Sequence, residues 1–278
     1  MLLGFLFTVS AVCAVLICLG CGSFQSLAWL WTLPLGYIGS FLALVVLTFL
    51  AVWIMALVVD TEKPQEKDSK FYRFVVNCVV EAAIPILSVR MHAEGLEKTP
   101  KEGRFLLVCN HLNEMDPVVL VHCFRNSQLA FISKMENRNM FIVGKLMHKI
   151  QCQLINREND REALKTILKC VEIIREDRAS IAVFPEGYIK PDRKLHRFRS
   201  GVFKIAQKTK IPIVVCTLRN TQYVFHNGLR LKPTDVYLHL VEVVQPETYA
   251  EMSTVDLGNY IYEMMAQDLG PENVSTEE

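Results

Sequence analysis

The chain has 278 residues, 51% of them hydrophobic, and a formal charge of +1, which gives no reason to expect nucleic acid as a partner. The charge is unevenly spread: the 30 basic and 29 acidic residues all follow Val59, with Asp60 the first. What remains after Val59 is long enough for one sizeable α/β domain with its own core.

The uncharged N-terminus, residues 1–59, reads as a membrane anchor in two parts. Residues 2–22, "LLGFLFTVSAVCAVLICLGCG", match the roughly 20 residues that cross a bilayer. Residues 28–59 exceed one span. Pro34, Gly36 and Gly39 predict a break, with Trp29, Trp31 and Tyr37 on an interfacial stretch at 28–38 and a span near 39–59. A cleaved secretory leader fits poorly, because no basic residue precedes the first apolar run and a second follows at once. Cys18 and Cys21 form a CxxC inside an apolar segment and read as small packing residues. Nine cysteines, an odd number in no disulfide-like spacing, fit a reducing compartment. Lys63, Lys67, Lys70 and Arg73 follow the second segment, whereas no basic residue separates the two. The positive-inside rule then puts the remainder in the cytosol.

Residues 60–70, "DTEKPQEKDSK", read as a solvated linker leading into a domain over 71–270. Residues 71–90 form a mostly apolar helix, lying on the membrane, on the anchor or in the core, which Pro85 bends or ends. From 103 onward short apolar runs alternate with helical patterns. "FLLVC" (105–109), "LAFIS" (129–133), "CQLIN" (152–156), "IAVF" (181–184) and "IPIVVCTL" (211–218) read as buried strands, and "VYLHLVEVV" (236–244) as a strand near an edge. Over 160–177, Leu164, Ile167, Leu168, Val171 and Ile174 share one helical face, with Asn159 or Asp160 as cap. The alternation defines an α/β fold with a mixed, largely parallel sheet flanked by helices. Residues 271–278 read as a disordered tail.

Four strand candidates end on chemically useful groups: "FLLVC" on Asn110 and His111, "LAFIS" on Lys134, "CQLIN" on Arg157, and "IAVF" on Pro185-Glu186-Gly187. In open α/β sheets ligands gather beyond the carboxyl ends of the strands, so these groups point to one shared site. In "CNHLNEMDP" (109–117) Asp116-Pro117 is a good helix start, which accounts for Asp116 but not for His111. A separation of five puts the pair on different faces of a continuous helix, so they meet only across a tight turn. There Asp116 would hold one ring nitrogen and free the other as a base for a hydroxyl. No GxSxG serine is present, so the base would act on the acceptor alcohol directly. Metal binding by His111, Glu114 and Asp116 is the rival, weakened by an unfamiliar spacing and no second ligand cluster. "FPEG" (184–187) is either a plain turn or a site where Glu186 bonds substrate hydroxyls. Residues 190–210 carry eight cations against Asp192, either a solvated surface or an attractor of phosphate-bearing lipids. Arg157 and Lys134 are the sharper phosphate candidates.

Taken together, "NHLNEMD", "LINR", "FPEG" and "IPIVV", in this order over about 75–265, resemble the blocks of the glycerolipid acyltransferase family that includes 1-acylglycerol-3-phosphate acyltransferases. "FISKMENRNMFIVG", with Lys134 and Gly144, is similar as well. The resemblance implies a glycerol-3-phosphate acyltransferase-like fold, His111 as base and Asp116 as its orienting partner. It implies Arg157 on the acceptor phosphate, with Lys134, Glu186, Gly187 and Arg199 also binding substrate, and Pro212 near the acyl site. Its reaction moves a fatty acyl group from acyl-CoA or an acyl carrier protein to the sn-2 hydroxyl of lysophosphatidate, with no metal and no cofactor. It would occur at a bacterial inner membrane or its endoplasmic reticulum equivalent. Tyr188, Arg199-Ser200-Gly201 and Val215 depart from the family pattern, all where acceptor or acyl group is recognised. Another lysophospholipid or lyso-aminolipid acceptor therefore stays open, as does a catalytically silent membrane protein that binds lipid or an acyl carrier.

Overall fold

A computed structural model describes residues 2–276. The first residue of the expected anchor and the last two of the expected tail lie outside the described residues. The chain divides into two units, residues 1–60 and 61–278.

The first unit is a hairpin of α1 (Leu2–Gly20) and α2 (Trp29–Leu57), both long and apolar enough to cross a membrane. Leu6, Ser10, Ala14 and Cys18 recur every four residues and form the buried stripe of α1. Opposite them stand Thr32, Gly36 and Ser40, also four apart. Ser40 Oγ donates to the Ser10 carbonyl at 3.2 Å, and Cys18 Sγ lies 3.2 Å from Thr32 Oγ1. A Cβ on Gly36 would sit 3.5 Å from the Ala14 Cα. Small residues thus let the two apolar helices approach closely. Two expectations are corrected. The break at 34–39 is absent: Pro34 lies near the start of α2, where its missing N–H costs one early bond. Cys18 is a packing residue as expected, but Cys21 is exposed.

In the second unit the elements run α3 (Lys70–Ile86), β1 (Val89–Glu94), β2 (Leu106–Cys109), α4 (Asp116–Cys123), β3 (Leu129–Lys134), α5 (Phe141–Lys149), β4 (Gln153–Ile155), α6 (Asp160–Arg175) and β5 (Ser180–Val183). They continue with α7 (Lys204–Thr209), β6 (Ile213–Arg219), α8 (Val224–Gly228), β7 (Thr234–Val244), α9 (Pro246–Tyr249) and α10 (Thr254–Leu269). The seven strands order as β1-β7-β6-β2-β5-β3-β4. From β6 to β4 all pairs are parallel, while β7 runs antiparallel to β6 and carries β1 parallel on its far side. Five strand ends, those of β2 to β6, therefore share one carboxyl edge.

Strand alternation sorts the core. Leu107, Cys109, Val214 and Leu218 pack on one face with Val119 and Leu120 of α4 and Val224 of α8. Leu106, Val108, Ile181 and Ile213 pack on the other with α6, Phe203, Tyr249 and Ile261 of α10. Burial of each such aliphatic side chain is worth about 1.5–3 kcal/mol. Both faces being covered explains why the central strands read as unbroken apolar runs.

The helix expected at 71–90 ends at Ile86, one residue past Pro85, which lies inside its last turn. The last two residues of that stretch, Val89 and Arg90, instead open β1, an edge strand with little apolar patterning. β7 is accordingly one position in from the edge. The expected solvated linker is instead strapped to the sheet. The Gln65 carbonyl accepts from Gln151 Nε2 and Arg178 Nη1, both at 3.1 Å, and Asp68 pairs with the buried Arg73 at 2.6 Å. Nor is the tail disordered where described: the Asn273 carbonyl accepts from Leu195 N at 2.8 Å, and Ser275 N donates to the Leu195 carbonyl at 2.9 Å.

Candidate active site

The first polar residue beyond β2 is spent on the sheet. Asn110 donates through Nδ2 to the Leu218 carbonyl (3.0 Å) and accepts from Leu218 N (2.7 Å), extending the β2–β6 ladder with a side chain. His111 follows at the edge. The chain then turns tightly, with Met115 N donating to Asn113 Oδ1 at 3.0 Å. This turn swings the fully buried Asp116 back. Its Oδ2 accepts from His111 Nδ1 (2.8 Å), Leu112 N (2.6 Å) and Asn113 N (2.8 Å). A carboxylate already taking two amide protons is an acceptor, so Nδ1 carries the imidazole proton and Nε2 presents its lone pair. Helix α4 begins at Asp116 itself, with Met115 in the capping position. Asp116 therefore caps the turn that follows His111 rather than the helix. The His111 ring stacks on Phe184 at a centroid distance of 4.2 Å and 14°.

Beyond β5 the Phe184–Gly187 turn closes with Gly187 N donating to the Phe184 carbonyl at 3.0 Å. Gly187 has φ +88°, a backbone conformation that favours glycine, and a Cβ there would lie 3.2 Å from Arg199 Cδ, so that side chain would have to shift. Glu186 is buried and its two oxygens bolt two segments together: Oε1 accepts from His111 N (2.8 Å) and Oε2 from His196 N (3.0 Å). Burial pushes the Glu186 carboxyl up to about 8; the two amides oppose that rise, while Asp116 and Asp192 add to it.

Sequence reasoning missed several participants. Phe184 counted only as the end of a strand. Arg193 counted only as one cation in a run, yet its Nη1 donates to the Leu112 carbonyl at 2.6 Å and so grips the turn after His111. His196 Nε2 pairs with Asp192 Oδ1 at 2.9 Å, and the i,i+4 spacing of these two was the available signal.

Arg157, two residues past β4, is half-buried. Burial first and the adjacent Arg199 second lower its affinity for the proton, against Glu136. Arg199 donates its backbone N–H to the Pro185 carbonyl (2.8 Å) and leans its guanidinium toward the Arg157 carbonyl (3.4 Å). Two neighbouring guanidinium groups that disfavour each other's charge are suited to an anion. Tyr188, a departure from the family pattern, lies under Lys190 at 4.7 Å and Arg199 at 5.8 Å. Lys134 is exposed at the end of β3, opposite Ile155 in the β3–β4 register. Among the described residues no hydrogen bond or ion pair ties it to His111, Arg157 or Glu186. Nor do any three His, Cys, Asp or Glu side chains among the described residues form a metal-holding group. A cleft of about 540 Å³ lined by Leu96, Arg104, Phe124 and Asp177 opens at the amino ends of the strands, away from this chemistry.

A histidine held by a buried carboxylate, on one strand edge with a pair of arginines, equips a fold for base-assisted group transfer to an anionic acceptor. Residues 90–219 match the family model described as Acyltransferase. A probable 1-acyl-sn-glycerol-3-phosphate acyltransferase of Mycoplasma pneumoniae is 30% identical over 177 residues, which span 62% of this chain and 64% of that protein, just under two thirds. A 1-acyl-sn-glycerol-3-phosphate acyltransferase of Borreliella burgdorferi is 23% identical over 70% of this chain and 78% of its own length. The fold is similar to the crystal structure of the 1-acyl-sn-glycerophosphate acyltransferase PlsC of Thermotoga maritima. The TM-score is 0.64 at 24% identity, covering 86% of this chain and 94% of that one.

Proposed function

We propose that the protein is a membrane-bound O-acyltransferase that moves a fatty acyl group from a thioester donor to the sn-2 hydroxyl of 1-acylglycerol 3-phosphate, giving phosphatidate. The observation that carries this reading is the His111–Asp116 pair, with Nε2 free for a substrate proton, on the same edge as Arg157 and Arg199. The names of the relatives support the acceptor.

In this mechanism His111 Nε2 takes the hydroxyl proton as the oxygen attacks the thioester carbonyl. The tetrahedral intermediate collapses, expels the thiolate, and the imidazolium returns the proton to sulfur. Asp116 holds the ring and offsets the positive charge that forms on it. Arg157 and Arg199 hold the acceptor phosphate, so positioning supplies much of the rate; Lys134 adds a cation at the same edge. The amides of His111, Leu112, Asn113, Gly187 and His196 already donate within the protein. Stabilisation of the oxyanion therefore falls to other groups. Lys63, Lys67 and Lys70 after the second apolar helix support a cytosolic domain under the positive-inside rule.

The test is an acceptor panel offered to the purified full chain in detergent, with acyl-CoA and with acyl carrier protein thioester. Phosphatidate from lysophosphatidate is the expected product. Acylation of a zwitterionic lysolipid or a lyso-aminolipid with lysophosphatidate ignored would overturn the acceptor. No turnover with either donor would favour a protein that only binds lipid or an acyl carrier.

A further inference from the structure

The connection from β6 to β7, residues 220–233, is an ordered protrusion whose composition has no role in the chemistry above. It is fastened at its base. Asn220 Nδ2 donates to the Asp235 carbonyl (3.0 Å), Asn227 Nδ2 to Thr234 Oγ1 (3.0 Å), and Lys232 N to the Asn227 carbonyl (2.9 Å), with Val224 fully buried beneath. Above that base it turns apolar groups outward: Leu229 is 88% exposed, Leu231 85%, and Tyr223 and Phe225 are exposed as well. Leu231 holds φ +54°, a conformation in which glycine would be at ease and a side chain is kept at a cost. His226, Arg230 and Lys232 lie among these groups, and no Asp or Glu occurs from Asn220 to Thr234. Leucines at the tip, aromatic rings behind them, cations between and no acid match what an anionic bilayer surface accepts: side chains for the acyl boundary, charges for the headgroups.

The protrusion also stands in a telling place. It leaves the sheet at the end of β6, where Leu218 is clasped by Asn110, the residue before His111. It rises from the carboxyl edge that bears the catalytic turn. The chain also carries two helices long and apolar enough to cross a membrane, which favours a bilayer as the partner of this loop.

We infer that residues 223–232 form a second membrane contact, a loop that seats Leu229 and Leu231 in the acyl boundary of an anionic leaflet and turns the His111 edge toward it. The inference rests on a bilayer partner and not on acyl transfer, and its test reads no activity. The full chain is reconstituted in lipid nanodiscs of phosphatidylcholine alone, or of an equal mixture with phosphatidylglycerol. It carries Leu229→benzoylphenylalanine or Leu231→benzoylphenylalanine, with Lys101→benzoylphenylalanine, before the amino end of β2, as control. Both leucine sites are exposed, so these substitutions spare the core. On irradiation, lipid adducts are expected at positions 229 and 231 well above position 101. They should be stronger with phosphatidylglycerol, and Arg230→Gln with Lys232→Gln should remove that gain, about fivefold per cation. Adduct yields at the loop no higher than at position 101, or adducts to a second copy of the chain in place of lipid, would overturn the inference.

Discussion

At the scale of single residues the site depends on two buried carboxylates with different duties. Asp116 spends one oxygen on the imidazole and two amides, so it fixes both the tautomer of His111 and the turn that carries it. Asp116→Asn should lower kcat/KM by about 10²–10⁴-fold, the range that positioned acid–base groups supply, while lysolipid binding persists; unchanged kinetics would remove Asp116 from the mechanism. Glu186 acts on stability. Its carboxyl is pushed up to about 8 in the fold, above about 4.3 in an unfolded chain, so the folded state binds the proton more tightly. That contribution is complete below about pH 4 and is lost as pH rises through about 8. Denaturant unfolding of the unmutated protein should therefore lose stability across this window relative to Glu186→Gln, and parallel pH curves for the two would refute the assignment. The His111–Asp116 pair was legible because five residues and a Pro117 helix start define it locally. The bonds of Glu186 to His111, of Phe184 to the ring and of Arg193 to Leu112 were not, because only strand order brings such distant positions together.

At the scale of elements, the buried central strands read cleanly because both of their faces are covered. Val89–Glu94 did not, since an edge strand with one buried residue carries no apolar signal. The strap over 61–69 read as a linker because its composition is polar, yet its polar groups are bonded to the domain. Arg73 shows how firmly: besides Asp68 it donates to the Leu129 carbonyl (2.8 Å) and the Ile150 carbonyl (3.1 Å). Arg73→Leu strands a carboxylate and two carbonyls in a site with little water. It should destabilise the domain by about 3–5 kcal/mol, seen as a fall in the denaturation midpoint; a shift within the error of the wild type would mean the strap is ornamental.

For the whole molecule, strand order turns scattered motifs into one site. Five parallel strands bring His111, Lys134, Arg157 and Glu186 to a single carboxyl edge, and the reversed β7 and β1 complete the sheet beside it without adding to that edge. The uncharged helical hairpin suits the proposed reaction, whose acceptor and product are lipids. The helices and the ordered motifs were visible in the sequence; the unbroken course of α2 was not, since Pro34 and its glycines look alike in a break and in a close-packed seam. The central claim is that the His111 imidazole takes the proton of a lysophospholipid hydroxyl. Its most direct measurement compares single-turnover acyl transfer to lysophosphatidate by the full chain and by His111→Ala, with bound lysolipid measured in the same samples. Phosphatidate is expected from the first, a rate lower by about 10² or more in the second, and equal lysolipid binding by both. Equal rates, or no transfer by the unmutated chain from either thioester, would contradict it.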